Sequence, residues 1–353
     1  MGSKIWEKFT PGNNARAVDH LIWEGGNILG KTVTAEFAVH APGKTLNPLN
    51  KNHIVGTSSS GSAAAVASGM SPLALGTQTA GSTIRPSSYC GIFGYKPSFG
   101  LIPRTGILKT LDTLDHICLM ARNAKDLSIA IDCARVSGRN HPYIRASLDA
   151  QEIDKSTERK YKVGFLKTST WDFAEDYTKN AMENFASDLD KKKNISVKEV
   201  EFSDQLNSIH QNHSLIYEKA LSYYFSDEIE NNREDVSSIF LEMTDRGRLL
   251  STEEYHNGLK TQVEHMQEFD NFKSEYDFFI THSTAGEAPK LDKPFEPDDP
   301  CLIWTYLHAP SITIPLFTGP NNMPFGLQLV SHRYNDNNLL SMADHIEKIF
   351  IGK

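Results

Sequence analysis

Ala15, Val18, Leu21 and Ile22 fall on one face of a helical wheel. Residues 14–24 therefore predict an amphipathic helix, which Gly25-Gly26 stops. The apolar pair in Asn27-Ile28-Leu29-Gly30 predicts a short buried strand after it. Between 61 and 69 the run G-S-A-A-A-V-A-S-G predicts a tightly packed helix, since alanine favours helix and small side chains let backbones approach. Leu73-Ala74-Leu75 predicts a short strand, and Asn123 a cap for a helix through about Cys133. Later strands are expected at Lys162–Leu166, Ile195–Val200, Asp277–Thr281, Ser311–Leu316 and Phe325–Val330. Helices are expected at about 176–192, 206–230 and 253–274. A last helix carries Leu339, Met342, Ala343, Ile346, Ile349 and Phe350 along one stripe. Residues 138–160 are polar and turn-rich and predict an exposed connection. Strands alternating with helices predict a layered α/β fold with a largely buried sheet, and the late strands need that sheet to join.

Composition narrows the partners more than the fold. With 353 residues and 39% hydrophobic content the chain can build a sizeable core. The formal charge is −8, and lysine and arginine are scattered, so nucleic acid is not the expected partner. Cys90, Cys118, Cys133 and Cys301 have no C-x-x-C spacing and are too sparse for a disulfide framework. They are expected to be free thiols in a cytoplasmic protein, with no membrane and no metal involved. No apolar run approaches the length of a membrane span.

The chemistry concentrates in residues 56–86, which open G-T-S-S-S-G-S and close G-T-Q-T-A-G-S-T-I-R-P. The spacing Gly56 to Gly61 imitates a phosphate-binding loop, but Ser62 stands where the lysine belongs. The nucleophile elbow G-x-S-x-G is absent too, because Ser82 sits in A-G-S-T-I. A solvated linker does not lead into Ala-Ala-Ala-Val-Ala. Acyl transfer fits better. Thr79-Ala80-Gly81-Ser82 is a run of small residues whose amides can converge on an oxyanion, with Ser82 as nucleophile. Serine needs a base within hydrogen-bond reach, and Ser58 offers a hydroxyl relay toward a neutral lysine.

These residues resemble the amidase signature family. The resemblance rests on 56–62, on 76–86 and on C-G-I-F-G-Y-K-P at 90–97. It extends to I-L-G-K-T-V-T-A-E-F at 28–37, to Gly100–Thr113, to Tyr276–Pro289 and to Trp304–Val330. It implies an amidase-signature α/β fold, with a mixed, mostly parallel sheet covered by helices on both faces. One domain would span 1–353, with a signature core at 56–133 and a variable, substrate-shaping region at 140–275. It implies a Ser–cisSer–Lys mechanism without cofactor or metal. Ser82 would be the nucleophile, and Ser58, after a cis peptide at Thr57–Ser58, the bridging serine. The amides of Thr79, Ala80, Gly81 and Ser82 would form the oxyanion hole. Arg85 would brace the turn, and Gln78 takes a position where many members carry aspartate. The implied substrate is a small-molecule amide, and the candidate assembly a homodimer.

One departure bears on activity. The family's lysine lies upstream of the match at 28–37, and Met1–Trp6 resembles the segment after it, so the chain is expected to be N-terminally truncated and impaired. Lys31 and Lys4 are poor substitutes. The alternatives are a non-catalytic binding protein on the same fold, or the amidase subunit of an aminoacyl-tRNA amidotransferase.

Weaker signals remain. His210 and His213, with Glu218, have metal-like spacing, but a solvated helix face is the preferred reading. His282 and His308 are expected to be structural before pocket-lining. Trp171, Phe173, Tyr217, Tyr223, Tyr224 and Trp304 could wall an acyl pocket, although most such aromatics are core.

Overall fold

The computed structural model describes residues 1–141, 148, 159–272, 275–294 and 297–352. The expected connection at 138–160 falls mostly outside them. Among the described residues eight strands form one sheet: β1 (Leu73–Gln78), β2 (Phe93–Lys96), β3 (His116–Ala121), β4 (Tyr161–Lys167), β5 (Ile195–Glu201), β6 (Phe278–His282), β7 (Ser311–Thr318) and β8 (Pro324–Val330). Their order is β1-β3-β2-β7-β8-β6-β4-β5.

Alternation along the strands gives the sheet two buried faces. In β6, Phe278 and Ile280 join one apolar cluster while Phe279 joins another. In β3, Ile117, Leu119 and Ala121 face the first cluster and Met120 the opposite side. The first face is covered by α1 (Arg16–Trp23), α4 (Ala124–Ala134), α5 (Asp176–Asp190) and α11 (Asp336–Phe350). The second carries α2 (Ser60–Ala67) near its β1 edge. Farther along it lie α6 (Ile209–Tyr224), α7 (Ser226–Asn232), α8 (Ser238–Leu249), α9 (Thr252–Asn271) and α10 (Pro300–Tyr306). The short α3 (Ile84–Tyr89) packs on β2, β7 and β8.

The sheet is mixed, but the expectation of mostly parallel strands is corrected: five of its seven neighbouring pairs are antiparallel. Only β5–β4 and β4–β6 are parallel. A parallel pair needs a long crossover, and β4–α5–β5 supplies one. The sequence β1–α3–β2 also brings two strands in the same direction, yet β3 inserts between them and runs against both. β7 and β8 are joined by residues 319–323 alone, which only an antiparallel pair allows.

Two further expectations are corrected. Asn27–Gly30 is not a buried strand: Ile28 is 51% and Leu29 74% exposed, with no sheet neighbour. The helix expected over 206–230 breaks at Phe225 into α6 and α7. The strands β2 and β3 and the helices α3, α8 and α10 were not anticipated.

Candidate active site

The two Gly/Ser turns meet at the outer edge of β1. That strand pairs with β3 on one side only, so its other edge would carry unpaired backbone groups. Serines of the first turn and of α2 occupy that edge. Ser59 Oγ accepts from Thr77 N at 3.1 Å and donates to Thr77 O at 3.2 Å, and Ser62 Oγ donates to Leu75 O at 2.7 Å. Part of the serine density is thus structural: hydroxyls replace a missing strand. Ser58 is different. It follows a cis peptide at Thr57–Ser58, is 1% exposed, and its hydroxyl has no hydrogen-bond partner among the described residues. Ser59 N donates to Ser82 O at 3.0 Å, which ties the two turns together.

Arg85 braces both turns. Its Nε and Nη2 donate to the carbonyl of Thr57 at 3.3 and 3.0 Å, and its Nη1 pairs with Asp299 Oδ2 at 3.2 Å in a buried ion pair. Asp299 also caps α10, accepting from Cys301 N at 2.9 Å. The Asp299 carboxylate lies directly on Gly81, where an added Cβ would come within 2.0 Å of Oδ2. Only glycine fits that position of the second turn.

Residues 79–82 are held from behind. Thr79 Oγ1 donates to Asp115 Oδ1 at 2.7 Å, and the Thr79 carbonyl accepts from His213 Nε2 at 2.9 Å. The Ala80 carbonyl accepts from Thr305 Oγ1 at 2.6 Å. Gln78 Oε1 accepts from the amides of both Thr83 and Ile84 at 2.9 Å, and its Nε2 donates to Thr305 Oγ1 at 2.9 Å. The amides of Ala80, Gly81 and Ser82 donate to no protein acceptor among the described residues.

A cleft of about 430 Å3 opens at this turn, lined by His40, Thr57, Ala80, Arg85, His213 and Tyr217 among others. Burial lowers the pKa of His40 to about 4, with Arg85 adding to the shift and Asp299 opposing it. Burial likewise lowers His213 to about 4. Both imidazoles are neutral near pH 7, and His213 must carry its hydrogen on Nε2 because a carbonyl can only accept. A larger cavity of about 830 Å3, between α4 and α11, is lined by none of the residues of 56–86.

Of the remaining sequence candidates, His210, His213, Tyr217 and Glu218, all on α6, line this cleft, and the others lie elsewhere. His213 is not on a solvated face but 2% exposed, against Thr79. His210 Nε2 engages the Asp299 carbonyl at 3.0 Å, and Glu218 pairs with Arg246. No group of three potential metal-ligating side chains forms among the described residues. His308 stacks on Phe99 at 4.0 Å and hydrogen-bonds the Thr113 carbonyl, and His282 is buried beside Thr170. Of the six candidate aromatics, Tyr217 lines the cleft. Trp304 is core, while Phe173 and Tyr223 are exposed. Lys4 and Lys31 are exposed, whereas Ser58 is buried. His40, Asp115, Asp299 and Thr305 were missed. Asp299-Pro300 is a helix-start signal, but nothing local announces its ion pair.

A family model described as Amidase matches residues 1–340. The chain belongs to the amidase family. Enzymes of this family work on amide bonds, and the fold and the signature segments of this amidase agree with its membership. It is 28% identical to a glutamyl-tRNA(Gln) amidotransferase subunit of Halothermothrix orenii, over 98% of this chain and 80% of that one. Among solved structures it resembles one titled as an amidase, with a TM-score of 0.85 at 21% identity over 97% of this chain and 79% of the other. It also resembles 6-aminohexanoate cyclic dimer hydrolase, with a TM-score of 0.82 at 23% identity over 97% and 79%. At such identities the structural likeness speaks for the amidase fold. None of the amidase's helices among the described residues is long and apolar enough to cross a membrane.

Proposed function

We propose that this amidase hydrolyses a small carboxamide through a covalent acyl-enzyme. Ser82 Oγ attacks the carbonyl carbon, and its proton passes by way of Ser58 to a base. The carbonyl oxygen, now an oxyanion, is received by the amides of Thr79, Ala80, Gly81 and Ser82. The C–N bond then breaks, the leaving amine takes a proton, and water releases the acid. The observation that carries this reading is the second turn, with its carbonyls anchored behind and its amides unspent beside the cleft. Preorganised donors of that kind supply roughly 2.7–4 kcal/mol each at an oxyanion. No metal or cofactor enters the scheme. Four free cysteines, three of them buried, favour a reducing, cytoplasmic setting.

Among the described residues no base reaches the Ser58 hydroxyl, so slow turnover is expected of this chain. Lys4 and Lys31 point to solvent, and Lys96 spends its ammonium on the carbonyls of Pro97 and Ala309. The test is turnover of simple aliphatic and aryl carboxamides by the native chain and by Ser82→Ala. Turnover that survives in Ser82→Ala, or none in the native chain under any condition, refutes the scheme.

A second reading makes the chain one component of an amidotransferase. The similarity to the glutamyl-tRNA(Gln) amidotransferase protein of Halothermothrix orenii, which runs along nearly the whole chain, favours it. It requires stable partner proteins, and affinity purification from the source cells would reveal them.

A further inference from the structure

We infer that Gln78, Thr305 and His213 are positioning residues that set the direction of two amides facing the substrate carbonyl. The inference rests on the acyl-transfer reading of Ser82.

A peptide unit is planar and trans, so its N–H points opposite to its C=O. The unit between Thr79 and Ala80 is held at its oxygen by His213 Nε2 at 2.9 Å, which fixes where the Ala80 amide points. The unit between Ala80 and Gly81 is held at its oxygen by Thr305 Oγ1 at 2.6 Å, which fixes the Gly81 amide. Each anchor is buried and comes from an element far along the chain, α6 for His213 and α10 for Thr305.

The proton positions follow from the partners. Two backbone amides, of Thr83 and Ile84, donate to one terminal atom of Gln78, which must therefore be its oxygen. The other terminal atom is the amide nitrogen, 2.9 Å from Thr305 Oγ1, and it has hydrogens to give. Thr305 Oγ1 consequently accepts from Gln78, and its one hydrogen goes to the Ala80 carbonyl at 2.6 Å in preference to the Cys301 carbonyl at 3.4 Å. A carboxylate at 78 would keep both backbone bonds but offer a bare oxygen to Thr305. The hydroxyl hydrogen would then turn toward position 78 and release Ala80. Glutamine at 78 is thus matched to threonine at 305. His213 contributes in the same sense: buried and neutral, it presents Nε2–H to a carbonyl that only accepts.

The test uses n-butylboronic acid, a trigonal acid that accepts Ser82 Oγ at boron and becomes a tetrahedral anion, with the serine proton released to solvent. The adduct places a negatively charged oxygen where the oxyanion would form, and its formation needs no turnover. Affinity is measured by titration calorimetry, with boron NMR to establish tetrahedral boron and thermal melting to establish folding. Losing a whole oxyanion donor costs about 10²–10³-fold, so a loosened one is expected to weaken the adduct about tenfold or more. That loss is expected in His213→Phe, Thr305→Val and Gln78→Glu. His213→Gln and Thr305→Ser, which keep a donor, are expected to stay within about threefold of the native chain. Gln78→Glu combined with Thr305→Val is expected to be no weaker than Thr305→Val alone, because both remove one and the same bond. Where a substrate is turned over, the loss falls on kcat and leaves KM nearly unchanged. Folded His213→Phe and Gln78→Glu that bind the boronate as tightly as the native chain overturn the inference. A native chain that binds no boronate, or binds it equally well as Ser82→Ala, overturns the acyl-transfer reading and this inference with it.

Discussion

Gly81 is held to glycine by the Asp299 carboxylate rather than by its own backbone angles. A methyl group there meets Oδ2, the same oxygen that pairs with Arg85, at 2.0 Å, so the carboxylate has to shift and the ion pair with it. Overpacking costs about 1–3 kcal/mol, and uncoupling a buried ion pair costs about 3–5 kcal/mol. Gly81→Ala is therefore expected to lose about 3 kcal/mol or more in urea denaturation, and to lose amidase activity. A variant as stable as the native chain would show that Asp299 is free to move. Ser58 makes the opposite demand, since among the described residues its hydroxyl lacks a partner rather than room. A general base contributes about 10²–10⁴-fold, and a small free amine can recover part of that. Methylamine is expected to raise the rate of amide cleavage by about tenfold in proportion to its neutral form. Ser58→Ala should abolish the rise. An equal rise in both proteins would mean that the amine attacks the substrate directly.

The N-terminus of α4 is secured both by its own cap and by a distant helix. Asn123 Oδ1 accepts from Asp126 N at 2.7 Å, the cap that the sequence announces. The amide of Ala124 is taken by Glu347 Oε2 of α11 at 3.0 Å, a contact across 223 positions. Asn123→Ala is expected to cost about 1 kcal/mol, typical of a helix N-cap. Glu347→Ala is expected to cost about 1–3 kcal/mol, because a buried amide is left unsatisfied. Chemical denaturation of both variants checks the order, and an inverted order would count against the cross-helix tie. The contrast also marks what could be read from the chain. Local signals carried well: the alanine run of α2, the Asn123 cap, the apolar stripe of α11 and both Gly/Ser turns lie as expected. Apolar content without neighbours misled, as at Ile28 and Leu29, which reach no sheet. β2 is too short, at four residues, to show any alternation. His213 looked like a surface residue because its partner, Thr79, lies 134 positions away. Cross-chain contacts of that kind leave no periodic trace.

In the whole molecule, the sheet's two buried faces bring together groups that pay for their burial in charge. The alternation of strands and helices predicted layers correctly, but not direction, because insertion of β3 between β1 and β2 is a tertiary choice. Layering has an electrostatic consequence. Burial lowers the pKa of His40, His213 and His282 to about 4 and that of His308 to about 3. In the unfolded chain each returns to about 6.5. Above that pH neither state holds these protons, and stability does not depend on them. As pH falls from about 6.5 toward 4 the unfolded chain binds protons that the folded chain refuses, so stability falls with pH. The slope is about 1.4 kcal/mol per pH unit for each histidine fully protonated in the unfolded state only. Below about 4 the folded His40, His213 and His282 titrate as well and add nothing further. Burial raises the pKa of Asp336, which acts with the opposite sign at the acid end. Urea denaturation at pH 7, 6, 5 and 4.5 is expected to give a steepening loss of stability, and His213→Gln a shallower one by about one proton. A flat profile from pH 7 to 4.5 would mean that these imidazoles reach solvent or find acidic partners, and that the two faces of the sheet are less closed than their packing indicates.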